Sequence, residues 1–132
     1  MNYIRPSEFS ILVVDEDMTV FHVLMDNTGE NRNLKLSYCN SVDELMDWCE
    51  TKSTPDLIFL DAAFGCGKAY AIASYLKMKF IPKPTIVLMS YFGMTPLTLA
   101  VLSGCDEVIC KPAPLDELMA VLINSNIRPD RF

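Results

Sequence analysis

Five short, largely apolar runs recur along this chain, and the stretches between them have the period of amphipathic helices. No other feature constrains the fold as strongly. The runs cover residues 11–14, 34–39, 57–60, 85–89 and 107–110. LIFL is apolar at every position and TIVL at all but its first, as expected of strands that helices cover on both faces. Strands that alternate with helices through short connections form βαβ units and one open parallel sheet. The expected class is therefore α/β.

The intervening segments carry helix ends. The first, over 18–27, takes Asp17 as its cap and stops at Thr28-Gly29. The second opens on Ser41-Val42-Asp43-Glu44, a capping box in which hydroxyl and carboxylate satisfy opposite orphan amides. A third covers 68–80 and is closed by Pro82 and Pro84; a fourth starts with Thr95 as cap and Pro96 in the first turn, and ends at Gly104. The fifth follows Pro114 through residue 124. At 132 residues the chain suits one domain spanning 1–132, with one site expected.

Composition narrows the function. Half the residues are hydrophobic (51%), yet no apolar run approaches the roughly 20 needed to span a bilayer. The start MNYIRPSEF lacks the layout of a signal peptide, so a soluble, cytoplasmic protein without membrane contact is expected. The net charge of -6 argues against direct nucleic-acid binding and favours protein partners. Five cysteines, Cys39, Cys49, Cys66, Cys105 and Cys110, contain no C-x-x-C pair and read as reduced thiols. The lone His22 has no acid or Cys at ligand spacing and reads as packing or solvated.

In open parallel sheets ligands sit outside the carboxyl ends of the strands. The first strand ends in Asp15-Glu16-Asp17, the third in Asp61, the fourth in Ser90 and the fifth in Lys111-Pro112. Each residue has a structural reading: a helix-start acid, a cap, a turn hydroxyl or a solvated lysine. Together, carboxylates, a hydroxyl and an ammonium on one edge are hard to produce by packing alone. Clustered carboxylates repel one another, which a hard divalent cation relieves. A carboxylate oxygen could then attack a phosphoryl group whose oxygens the metal, hydroxyl and ammonium bind. Before metal arrives, crowding should raise the pKa of at least one acid.

ILVVDED, PDLIFLD, IVLMS and ICKP, in this order, resemble the receiver domain of bacterial response regulators, over nearly the whole chain. The resemblance implies a flavodoxin-like three-layer αβα sandwich with a five-stranded parallel sheet in the order 2-1-3-4-5. It implies Asp61 as phosphoacceptor, with Ser90 and Lys111 binding the phosphoryl group. It also implies Mg2+, with Mn2+ as an alternative, held by Asp15, Glu16, Asp61 and the Ala63 carbonyl, and a cis Lys111-Pro112 bond. The implied partners are a sensor histidine kinase or histidine phosphotransfer protein, and a downstream protein or second copy docking on the face of the fourth helix, fifth strand and fifth helix. Such a domain accepts a phosphoryl group and at most loses it slowly; it is not an enzyme.

The chain departs from that pattern at two places. After Asp61 the family usually has Met-Pro and later Asp-Gly, whereas here the segment is Ala62-Ala63-Phe64-Gly65-Cys66-Gly67-Lys68 and looks shorter. Three residues before the lysine, where the family places a switching Tyr or Phe, stands Val108, so Tyr91 and Phe92 become the switch candidates. The fourth helix, PLTLAVLS, is apolar on more than one face and must be buried or meet a partner.

Two other readings exist. Asp15-x-Asp17-x-Thr19 also resembles haloacid-dehalogenase-type phosphatases, in which Asp15 would be the nucleophile; that reading leaves Asp61 idle, and the acids after Lys111, Asp116 and Glu117, lie in the last helix. Alternatively, the altered loop and Val108 fit a receiver-like protein-binding module that is not phosphorylated.

Overall fold

The apolar runs form five strands, β1 Phe9–Val14, β2 Leu34–Cys39, β3 Leu57–Asp61, β4 Thr85–Tyr91 and β5 Glu107–Lys111. Between and after them lie α1 Thr19–Thr28, α2 Val42–Thr51, α3 Ala69–Lys79, α4 Leu97–Leu102 and α5 Leu115–Asn126. The computed structural model describes residues 8–31, 33–51, 53–91 and 96–126. All four strand pairs are parallel and the order is β2-β1-β3-β4-β5, the expected flavodoxin-like arrangement.

Strand residues alternate between two cores. Leu12, Val14, Ile58, Leu60, Ile86 and Leu88 face one core with Leu45 of α2, Ile72 and Leu76 of α3 and Ala100 of α4. Ile11, Val13, Leu57, Phe59, Val87, Met89 and Ile109 face the other, with Val20 and Leu24 of α1 and Leu118 and Leu122 of α5. The result is three layers, and it explains why LIFL and TIVL show no polar alternation. Each fully buried Leu, Ile or Phe side chain contributes about 1.5–3 kcal/mol of burial.

The strands run longer than their apolar cores suggest: Asp61, Ser90 and Lys111 are still paired in the sheet. Helix ends differ in detail. Met18, not Asp17, caps α1 without a side-chain bond; Asp17 sits one residue earlier and accepts the Thr19 amide at 2.8 Å and the Thr19 hydroxyl at 2.6 Å. In the box at α2, Ser41 Oγ accepts the Glu44 amide at 3.1 Å as expected, while Glu44 reaches past the cap to the Asn40 amide, also at 3.1 Å. Pro96 is the extended N-cap of α4 rather than part of its first turn, and α4 has only six residues; Thr95 lies outside the described residues. Gly104 follows α4 at φ +94°, where a Cβ would meet Lys77 Cγ at 3.0 Å. The cysteines are free, with Cys39, Cys49 and Cys105 buried. Burial pushes the Cys39 thiol up to about 12 and that of Cys105 to about 11. Among the described residues no helix is long and apolar enough to cross a membrane.

Candidate functional site

β3, β4 and β5 deliver their last residues to one edge. Along these strands Asp61, Tyr91 and Lys111 follow the alternation of Phe59, Met89 and Ile109, so they lie on the side of α1 and α5. Asp15, one residue past β1, completes the cluster. Lys111 Nζ donates to Asp15 Oδ2 at 2.7 Å and to Asp61 Oδ1 at 3.1 Å. The three side chains are 10%, 2% and 10% exposed, so solvent screens these bonds little. The Lys111-Pro112 bond is cis, as expected.

Two carboxylates against one ammonium leave an excess negative charge in a nearly buried place. Burial pushes the Asp15 carboxyl above its ordinary value, against hydrogen bonds from Lys111 and the Asp17 amide, and the Asp61 charge adds a smaller push. The expected upward shift thus falls on Asp15, but through burial more than crowding. Burial alone would pull Lys111 down; the hydrogen bonds and charges of Asp15 and Asp61 outweigh it and hold the ammonium above the usual lysine value. Lys111 also lies 5.8 Å from the ring centroid of Tyr91, a ring that is 58% exposed.

The remaining predicted residues stand at the periphery. Glu16 is exposed and its Oε1 accepts the Gly65 amide at 3.3 Å, tying it to the loop after Asp61. Ser90 is 4% exposed, follows the opposite alternation with Leu88, and donates its hydroxyl to the Tyr91 carbonyl at 3.2 Å rather than to Asp61. Ala63 lies exposed in the turn that follows β3. Val108 is half-buried against the α2–α3–α4 core, away from the lysine. Phe92 lies outside the described residues. As the side chains stand, no three acids, histidines or cysteines among the described residues are grouped to hold an ion. The Lys111 ammonium takes the place between Asp15 and Asp61. The donors nevertheless suit a hard divalent cation, since all are oxygens and the cluster keeps a negative charge that Lys111 does not cancel.

Two contributors were not read from the sequence. Phe64 is fully buried in the α2–α3–α4 core and its amide donates to the Asp61 carbonyl at 3.0 Å, so it anchors the loop after β3. The signal was there, as one aromatic in a segment otherwise of small residues and lysine. Beside the lysine a cavity of about 230 Å³ is lined by Asp17, Val20, Tyr91, Lys111, Pro112 and Leu118 among others.

No protein-family model matches the chain, and the comparison with curated proteins finds no match. Solved structures do match. A response regulator from Thermotoga maritima aligns at TM-score 0.74 and 21% identity over 88% of this chain and 95% of its own. A two-component response regulator from Clostridium difficile aligns at 0.76 and 22%, over 90% and 96%. The N-terminal signal receiver domain of a Bacteroides fragilis response regulator gives 0.71 and 18%, over 90% and 97%. At these identities the likeness is one of fold, and it extends over nearly the whole described chain.

Proposed function

We propose that this chain, whose fold is that of response-regulator receiver domains, is the phosphoacceptor of a two-component phosphorelay and is phosphorylated on Asp61. The observation that carries this reading is the Lys111 ammonium shared between Asp15 and Asp61 at the carboxyl edge of the sheet. A structural lysine would need one carboxylate; the second leaves a nucleophilic oxygen with its counter-ion in place. In the proposed step an Asp61 oxygen attacks phosphorus, the bond from phosphorus to the donor's nitrogen or oxygen breaks, and the leaving group keeps the electron pair and takes a proton. The product is an acyl phosphate. Lys111 stays on Asp15 and transfers its second hydrogen bond from Asp61 to a phosphoryl oxygen; the Ser90 hydroxyl turns from the Tyr91 carbonyl to another. Asp15, Glu16, Asp61 and the Ala63 carbonyl would hold Mg2+, or Mn2+, for which Glu16 must leave the Gly65 amide. When bound, the ion supplies charge neutralisation at the phosphoryl oxygens.

The phosphodonor would be a histidine kinase or a histidine phosphotransfer protein. Output would pass through the α4-β5-α5 face to a downstream protein or a second copy. Leu97, Val101 and Leu102 of α4 are 67%, 68% and 77% exposed, far more apolar surface than a six-residue helix needs unless it meets a partner. A second reading, a receiver-like binding module without phosphorylation, is favoured by Glu16 standing on the loop rather than with the other acids. The phosphatase reading has less support, because the Asp17 oxygen that would move a proton is bound to Thr19.

Incubation with acetyl phosphate and Mg2+, followed by intact mass measurement, decides among them. The expected result is one added phosphoryl group, absent in Asp61→Asn and absent without divalent cation. No adduct on the wild-type protein would leave the binding module; an adduct that persists in Asp61→Asn and disappears in Asp15→Asn would establish the phosphatase reading.

A further inference from the structure

The hydroxyl of Tyr38 is buried, and among the described residues no group hydrogen-bonds it. A buried hydroxyl left unpaired costs its desolvation with nothing in return, whereas Phe would keep the same ring without that cost. A core that needed only a ring here would be better served by Phe. The ring itself is well placed: it lies 5.2 Å from that of Phe21 on α1, and belongs to the α1–α5 side of the sheet. Tyr38 is the penultimate residue of β2 and pairs with Val13, two residues before Asp15 on the neighbouring strand. It thus shares a face with Asp61 and Lys111 at the same end of the sheet. After burial, the largest influences on its phenol are the charges of Asp15 and Asp17, both of which raise its pKa. An unpaired donor and acceptor therefore lies on the face of the sheet that carries Asp61 and Lys111, next to the strand that ends in Asp15.

We propose that Tyr38 is a positioning residue of the cation site, its hydroxyl hydrogen-bonding a water carried by the ion that Asp15 and Asp61 hold. The inference rests on the reading of that edge as a Mg2+ site. Mg2+ gives up its waters reluctantly, so a site with few protein ligands must also offer partners to the waters that remain. Partners of that outer kind commonly alter affinity by about ten- to a hundredfold.

The test compares wild type with Tyr38→Phe, which keeps the contact with Phe21, by calorimetric titration of metal-free protein with magnesium chloride and by thermal unfolding without metal. Expected are a Mg2+ dissociation constant about tenfold or more weaker in Tyr38→Phe, and an unfolding temperature equal to or above that of wild type. Equal affinity in the two proteins would overturn the role of Tyr38 and leave the cation site standing. Equal affinity with a lower unfolding temperature in Tyr38→Phe would show that the hydroxyl makes a structural bond instead. No Mg2+ binding by wild type would remove the cation site itself, and this inference with it.

Discussion

At the amino end of the sheet Lys77 Nζ bonds Asp106 Oδ2 at 2.6 Å and the Pro84 carbonyl at 2.6 Å, while the same Asp106 oxygen accepts the Ile86 amide at 2.8 Å. At the carboxyl end Lys111 Nζ bonds Asp15 and Asp61, and neither of its bonds goes to backbone. Both ends use an ammonium and carboxylate, but the first pair cancels in charge and spends its remaining hydrogen bonds on the main chain. It fastens α3 to the starts of β4 and β5. The second is over-supplied with acid, nearly buried, and free of main-chain duties apart from the Asp17 amide on Asp15. An ion pair that ends on backbone holds a fold together; one that leaves a carboxylate under-compensated is equipped for chemistry.

Removing the lysine at the carboxyl end should have the largest effect. Lys111→Met leaves two buried carboxylates without a counter-ion and should cost about 3–5 kcal/mol near neutral pH. The sign with pH follows from Asp15, whose carboxyl is already raised above 3.8 in the fold and rises further without Lys111. The unfolded chain ionises first, so the loss should grow as pH rises above 3.8 through the folded value and vanish below it. Urea unfolding of both proteins at pH 3.5 and pH 7 checks this, and an equal deficit at both would mean that the lysine acts by packing.

A smaller and differently shaped loss is expected at the amino end. Asp106→Ala strands the Ile86 amide and should cost about 1–3 kcal/mol, while the Asp61 adduct with acetyl phosphate still forms. If that variant also loses phosphorylation with its fold intact by circular dichroism, the two ends are coupled and the contrast fails. Least of all should follow from Tyr91→Ala. An exposed ring over Lys111 contributes about 0.5–1 kcal/mol, so denaturant midpoints should barely move. A loss above about 2 kcal/mol would place Tyr91 among the groups that hold Lys111 in position.

Much of this was legible in the chain. The alternation of apolar runs with helical stretches gave α/β class and five strands, because burial on both faces demands that composition wherever such a sheet forms. Asp61 and Lys111 were placed by strand ends, and the capping box at Ser41 and Glu44 by purely local chemistry. The α4 start was misread because a Thr-Pro pair suits either of two frames one residue apart.

What the sequence could not decide was direction. A strand buried on one face shows its phase through polar alternation, but LIFL and the IVLM that follows Thr85 are apolar throughout, so nothing in them tells which side Asp61, Ser90 or Tyr91 takes. Chain order alone determined that an acid, a hydroxyl and an ammonium arrive at one edge. Only the tertiary pairing turned Asp61, Lys111 and Tyr91 to the α1–α5 side with Tyr38 and Asp15, and Ser90 to the other. That choice belongs to the register of neighbouring strands and to which helices cover each face, contacts between residues as far apart as Asp15 and Lys111 that no local pattern records.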